Sequence, residues 1–210
     1  MRGVVIALGA LALAIGAVVF WPNADRLNGL SNIIDTDGAE GNPVLVIEVG
    51  GQAKGEIEIE LLRDVAPNHV ARIVSLAENA AYDGVVFHRV IAGFMAQTGD
   101  VQFGKRGGGT LGRAGTGGSD GADLSAEFSD ISFTPGTVGM ARAQHPDSAN
   151  SQFFIMFADA PFLDGQYTVI GRVIAGMDVV NAIKKGDPNL NGLVSEPDYM
   201  VSVSVKVPEN

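Results

Sequence analysis

Phe87-His88-Arg89-Val90-Ile91-Ala92-Gly93-Phe94-Met95-Ala96-Gln97-Thr98-Gly99-Asp100 sets one permanently charged donor among large apolar side chains, with an amide two residues beyond the Phe-Met pair. Read as two short strands around Gly93, alternation places Arg89, Phe94 and Gln97 around one concave face. Such a face grips a neutral, partly apolar stretch of backbone. The segment holds no evident nucleophile and no paired carboxylates.

Strand signals extend on both sides of it. Val44 to Val49 and Glu56 to Leu61 read as strands, the second with clean alternation at Ile57, Ile59 and Leu61. Pro67 starts a helix on which Val70, Ile73, Val74 and Ala77 follow i, i+3, i+4, i+7 spacing. Val85–Val90 and Phe94–Thr98 flank Gly93 as short strands. Thr137–Ala141, Gln152–Phe157 and Thr168–Ile174 follow, the middle one apolar throughout. A second helix is expected from Gly176 to Lys184, with Met177, Val180 and Ile183 on one face. Tyr199 to Val207 alternates valine with polar residues as a last strand. About eight strands and two helices without repeating strand–helix units call for antiparallel pairing in a mainly β fold. Closure into a barrel would remove exposed edges, although periodicity alone does not separate a barrel from a sandwich.

The opening segment closely resembles the signature of the cyclophilin-type peptidyl-prolyl isomerases. Ser151-Gln152-Phe153-Phe154-Ile155 and Phe162-Leu163-Asp164-Gly165 match that family too, in the expected order and spacing, and the likeness runs from about Pro43 to Lys206. The resemblance implies a closed eight-stranded antiparallel β-barrel capped by two helices, spanning residues 43–207, with the substrate groove on its outer face. It implies an enzyme that interconverts cis and trans X-Pro bonds without metal or cofactor, Arg89 and Gln97 being catalytic. Phe94, Met95, Phe154 and Leu163 match positions that enclose the proline ring, and Gln97 one that steadies substrate and Arg89. Ala141 and Gln152 match positions along the backbone-binding part of the groove. Phe162 falls where many eukaryotic members carry Trp, Tyr167 where many carry His, and Arg142 where many carry Asn. All three are taken as substrate-binding. Loss of an indole N–H at Phe162 implies weak or no cyclosporin binding. The implied partners are proline-containing polypeptides, met by a monomer.

The 210 residues suit one domain with an appended segment. Net charge is −10, and Arg2 is the one charged side chain among the first twenty residues, so the remainder carries 13 basic against 24 acidic groups. That surface repels nucleic-acid phosphates. Cysteine is absent, which excludes disulfides, thiolate catalysis and cysteine-ligated zinc. Gly3 to Phe20 is an apolar or glycine run of 18 residues behind Arg2. As a helix it would reach roughly 27 Å, close to a bilayer's hydrocarbon thickness. An uncleaved anchor over residues 1–22, with Arg2 in the cytoplasm and Trp21 at the far interface, fits better than a signal peptide. Cleavage sites are poor here, and a buried soluble helix suits this charge-free, glycine-rich run badly. Residues 23–42, rich in Asn, Asp and Gly, read as a linker. The domain is thus expected in the periplasm of a bacterial envelope, tethered to the inner membrane or soluble there after cleavage.

Plainer readings compete with each residue. Arg89 alone would suggest a surface ion pair, and the phenylalanines and Met95 would suggest core. His69, His88 and His145 lack metal-ligand spacing, while Asp100, Glu127 and Asp164 read as caps or turn acceptors. Gly107 to Gly112 and Gly117 to Gly121 satisfy two glycine-rich motifs formally, the second centred on Ser119, but neither lies between a strand and an apolar helix. Gly115-Thr116-Gly117-Gly118 instead matches a loop that cyclophilins place beside the groove. Two alternatives to the isomerase are a non-catalytic proline-peptide binding module on the same fold and, more remotely, a hydrolase using Ser119.

Overall fold

The computed structural model describes residues 41–207. The expected anchor at 1–22 and nearly all of the linker lie outside that range. No helix among the described residues is long and apolar enough to cross a membrane.

Strands β1 (Val44–Gly50) and β2 (Gly55–Leu61) form an antiparallel hairpin pairing Leu45 with Ile59 and Ile47 with Ile57. Those four side chains are buried, while Glu56 and Glu48 face solvent on the opposite side of the pleat. Helix α1 (Pro67–Glu78) buries His69, Val70, Ile73, Val74 and Ala77, the stripe expected from its spacing. The Ala66 side chain does not cap its N-terminus. Glu127 does so from a distant loop, its carboxylate accepting the backbone N–H of Asn68 and of His69, both at 3.1 Å. The same carboxylate lies 2.6 Å from His69 Nδ1. Burial acts to raise the Glu127 pKa, but the bonds from His69 and Asn68 outweigh it and hold the group below its ordinary value.

β3 (Arg89–Ile91) and β4 (Met95–Thr98) pair antiparallel, followed by β5 (Thr137–Met140), β6 (Phe153–Met156), β7 (Val169–Ala175), the short helix α2 (Met177–Ala182) and β8 (Tyr199–Lys206). The eight strands form one antiparallel sheet in the order β3-β4-β6-β5-β7-β2-β1-β8. All four residues of β6 are buried, as its unbroken apolar run demands.

The sheet is curled but open, which corrects the expectation of a closed barrel. The anticipated strand Val85–Val90 breaks at Phe87 and His88, leaving three residues for β3. Across the gap to β8 runs a single bridge, Val86 to Tyr199, flanked by the bonds Phe87 N–H to Asp198 O (2.8 Å) and Met200 N–H to Val85 O (2.9 Å). The outer edge of β3 is taken by another segment instead. Val90 N–H donates to Gly192 O, Gly186 N–H to Val90 O, and Val194 N–H to His88 O. That covering satisfies the edge without ladder closure.

Candidate functional site

The β3–β4 turn and the sheet register assemble one wall. Gly93, at φ +70°, makes the turn that a side chain would strain, and Arg89 pairs opposite Gln97. Gln97 in turn pairs with Phe154, and Phe154 with Gly139. A Cβ at Gly139 would come within 2.6 Å of both Phe133 and Phe154, so this glycine makes room for the two rings. They stack at 5.7 Å between centroids, and Tyr167 meets Phe154 edge-on at 5.8 Å.

A cavity of about 450 Å³ opens on this wall. Arg89, Phe94, Met95, Gln97, Ala141, Arg142, Phe154, Phe162, Leu163 and Tyr167 line it, so ten of the eleven anticipated site residues converge there. Gln166 joins them, a residue the sequence reading did not single out. The floor belongs to the core: Met95 is 2 % and Phe154 5 % exposed, within a cluster that includes Phe133, Met156 and Leu163. The rim does not. Phe162 is 68 % exposed, its ring 5.7 Å from that of Phe94. The eleventh residue, Gln152, lines an adjoining cavity of about 420 Å³ with Gly115 to Ser119, and the two cavities share Gln97, Ala141 and Arg142.

A chain of hydrogen bonds crosses both. Arg89 Nη1 donates to Gln97 Oε1 (3.1 Å), Gln97 Nε2 to Gln152 Oε1 (2.9 Å), and Gln152 Nε2 to Gly117 O (2.8 Å). Arg89 also donates through Nε to Asn191 O and through Nη2 to Asn191 Oδ1, each at 3.0 Å. Three of its five N–H groups are thereby engaged, leaving two. Burial lowers the Arg89 pKa from its ordinary value, yet a guanidinium starts so high that it remains charged at neutral pH.

Arg142, which lines both cavities, is held by main-chain oxygens. Its Nε and Nη2 donate to Gln166 O, its Nη1 to Ala143 O and Gln144 O, and Cζ lies 4.5 Å from the Tyr167 ring centroid. The side chain braces two loops and shapes the wall. Ser119 Oγ meets Asn150, Arg72 and the Gly121 N–H, with no histidine among its partners, so nothing there activates it as a nucleophile. The Gly107–Gly112 motif leads into a three-residue 3-10 turn, Leu111–Arg113, rather than an α-helix. Asp100 accepts the N–H groups of Gly115 and Gly117, and Asp164 that of Phe133, the acceptor roles read for them.

The chain matches the family described as cyclophilin type peptidyl-prolyl cis-trans isomerase/CLD over residues 44–205. The chain belongs to that family. This cyclophilin is 48 % identical over 207 residues to a probable peptidyl-prolyl cis-trans isomerase of Brucella suis, covering 98 % of this chain and 96 % of the relative. It is 38 % identical to a peptidyl-prolyl cis-trans isomerase of Acinetobacter baylyi over 72 % of this chain and 81 % of the other. The crystal structure of a cyclophilin from Hirschia baltica superposes with a TM-score of 0.63 at 28 % identity, covering 76 % of this chain and 72 % of that one. The protein is a prolyl isomerase, acting on proline-containing peptides.

Beside Arg89, His88 is buried with neither ring nitrogen hydrogen-bonded, its ring packed against Gly115. Burial, opposed by nearby Asp100, lowers its pKa to about 4, so the ring is neutral at neutral pH. The unfolded chain protonates this histidine near pH 6.5. Between about 6.5 and 4 the unfolded state therefore binds a proton that the folded state refuses. Stability is full above that window and falls by about 3 kcal/mol as pH drops through it, at about 1.4 kcal/mol per pH unit. Urea unfolding of wild type and His88→Phe at a series of pH values checks this. The variant should lack that part of the acid loss, and parallel curves for the two proteins would disprove it.

Proposed function

We propose that this isomerase assists the folding of exported proteins, working as a monomer in the periplasm and held at the inner membrane by residues 1–22. Support for the tether comes from the apolar run behind Arg2, ending at Trp21. The Brucella suis relative is similar over 98 % of this chain, so the likeness reaches into that run.

At the site, the bound X-Pro unit lays its ring against Met95, Phe154, Phe94 and Leu163. Rotation about the prolyl bond breaks amide resonance, at a barrier near 18–20 kcal/mol. As the bond twists, nitrogen regains its lone pair and the carbonyl loses partial negative charge. A donor aimed at that nitrogen favours the twisted state over either planar one, which is what acceleration requires. Arg89 supplies it from its unspent N–H groups. Gln97 orients Arg89, while Ala141 and Gln152 border the flanking backbone. Arg142, Phe162 and Tyr167 complete the walls. The observation that carries this reading is one guanidinium, held from two sides, at the edge of a cavity whose floor is apolar core. No proton moves in this scheme. The Phe162 side chain offers no N–H donor, so cyclosporin should bind weakly.

Localisation of the full-length protein in its own host tests the tether. Membrane-pelleted chain that begins at its first residues and is digested by protease added to spheroplasts supports the anchor. A soluble periplasmic chain lacking residues 1–22 supports export with cleavage. Chain shielded from the protease until the inner membrane is lysed would overturn export altogether.

A further inference from the structure

Asn191 sits 102 positions along the chain from Arg89 yet holds two of its donors. Its main-chain oxygen accepts from Nε and its side-chain oxygen from Nη2, so one residue fills a whole edge of the guanidinium. Gln97 takes Nη1 from the other side. A planar fork pinned on two edges has its plane fixed.

Local structure explains how Asn191 reaches that edge. Asp187 caps the 3-10 turn Pro188–Leu190 by accepting the Asn189 N–H at 2.8 Å, and Asn191 follows in the left-handed region, at φ +53° and ψ 36°. Asparagine tolerates that conformation where most side chains do not. Gly192 comes next, at φ +79°, so close to β3 that a Cβ would come within 2.5 Å of Ile91 Cγ1. Its N–H donates to Asp187 O, and its carbonyl accepts from Val90, both at 2.8 Å. The turn is thus laced to the strand that carries Arg89.

We propose that Asn191 is a positioning residue for catalysis: by accepting from Nε and Nη2 it aims the remaining N–H groups of Arg89 at the prolyl nitrogen. This rests on the reading of Arg89 as the donor in the reaction. Asn191 lines neither of the two cavities. Its contribution is to the twisted state, where donor direction matters, and hence to kcat rather than KM.

The test uses the full chain with Asn191→Gly, which keeps the left-handed backbone and the main-chain acceptor but deletes Oδ1, and Asn191→Asp, which keeps an acceptor in place. Readouts are kcat and KM on an X-Pro peptide, thermal unfolding, and the NMR signals of the Arg89 Nε and Nη groups. With one bond to a charged group lost, Asn191→Gly should lose about tenfold in kcat, with KM within about twofold. Asn191→Asp should recover to within about threefold of wild type. Separate Arg89 Nη signals in wild type should merge in Asn191→Gly, while unfolding temperatures stay alike. Wild-type kcat in Asn191→Gly, equal losses in both variants, or Nη signals that stay separate without Oδ1 would each overturn the proposal. An Arg89→Ala chain as active as wild type would instead remove the underlying reading of Arg89, whatever the Nη signals show.

Discussion

Replacing Arg89 by alanine lowers kcat/KM for an X-Pro peptide by about ten- to two-hundredfold, the equivalent of a charge-assisted hydrogen bond of roughly 1.5–3 kcal/mol. The fold survives the change. Arg89 is half-buried, and its partners Gln97 and Asn191 keep access to water or to other bonds, Gln97 through its link to Gln152. Unfolding free energy should therefore shift by no more than about 1 kcal/mol. Arg89→Lys should recover only part of the rate, because an ammonium on a flexible stem has no fork to be fixed by Asn191 and Gln97. A protease-coupled assay and urea unfolding, run on the same preparations, separate the two effects. Activity within twofold of wild type in Arg89→Ala would remove the guanidinium from the mechanism.

How far this site was legible in the sequence depends on how local each contact is. Alternation over Arg89 to Gln97 placed both side chains on one face because their pairing is a hairpin, decided within nine residues. The buried face of β2 and the stripe on α1 were likewise read from period alone. Asn191 was not, since its bond to Arg89 spans 102 positions, and the Asn-Gly pair signals a turn without saying what the turn touches. Arg142 is placed at the groove by the family resemblance, and it does line both cavities, but the sequence does not say what holds it there. Only the folded chain brings Gln166, Ala143 and Gln144 carbonyls around it. The same limit produced the error in the barrel. Val85–Val90 has the composition of one strand, yet the edge of β3 is claimed by residues 186–194, and nothing in local composition reports that competition. Helix α2 ends at Ala182, short of Lys184, because Ile183 turns to φ −51°, ψ 131° and is buried in that conformation.

Truncating Phe154 to alanine should damage both stability and binding, the reverse of the split expected at Arg89. Its ring is at once core and cavity floor: 5 % exposed, stacked on Phe133 and met edge-on by Tyr167. Burial of a phenylalanine followed by truncation costs about 3–5 kcal/mol, with the larger values where the site cannot collapse. Collapse is difficult here. Gly139, directly across the strand pair, has no side chain to move inward, and Phe133 is already fully buried. The void would sit where the proline ring rests, so kcat/KM should fall chiefly through KM, with the donor geometry at Arg89 left in place. Phe154→Leu, which keeps much of the volume, should lie between alanine and wild type on both measures. Urea unfolding and a substrate titration at a temperature where the variant is folded supply the two numbers. A stability loss below about 1 kcal/mol would mean that the wall yields without cost. In that event the cavity floor would no longer be a rigid part of the core, and the isomerase would have to grip its proline by closing around it.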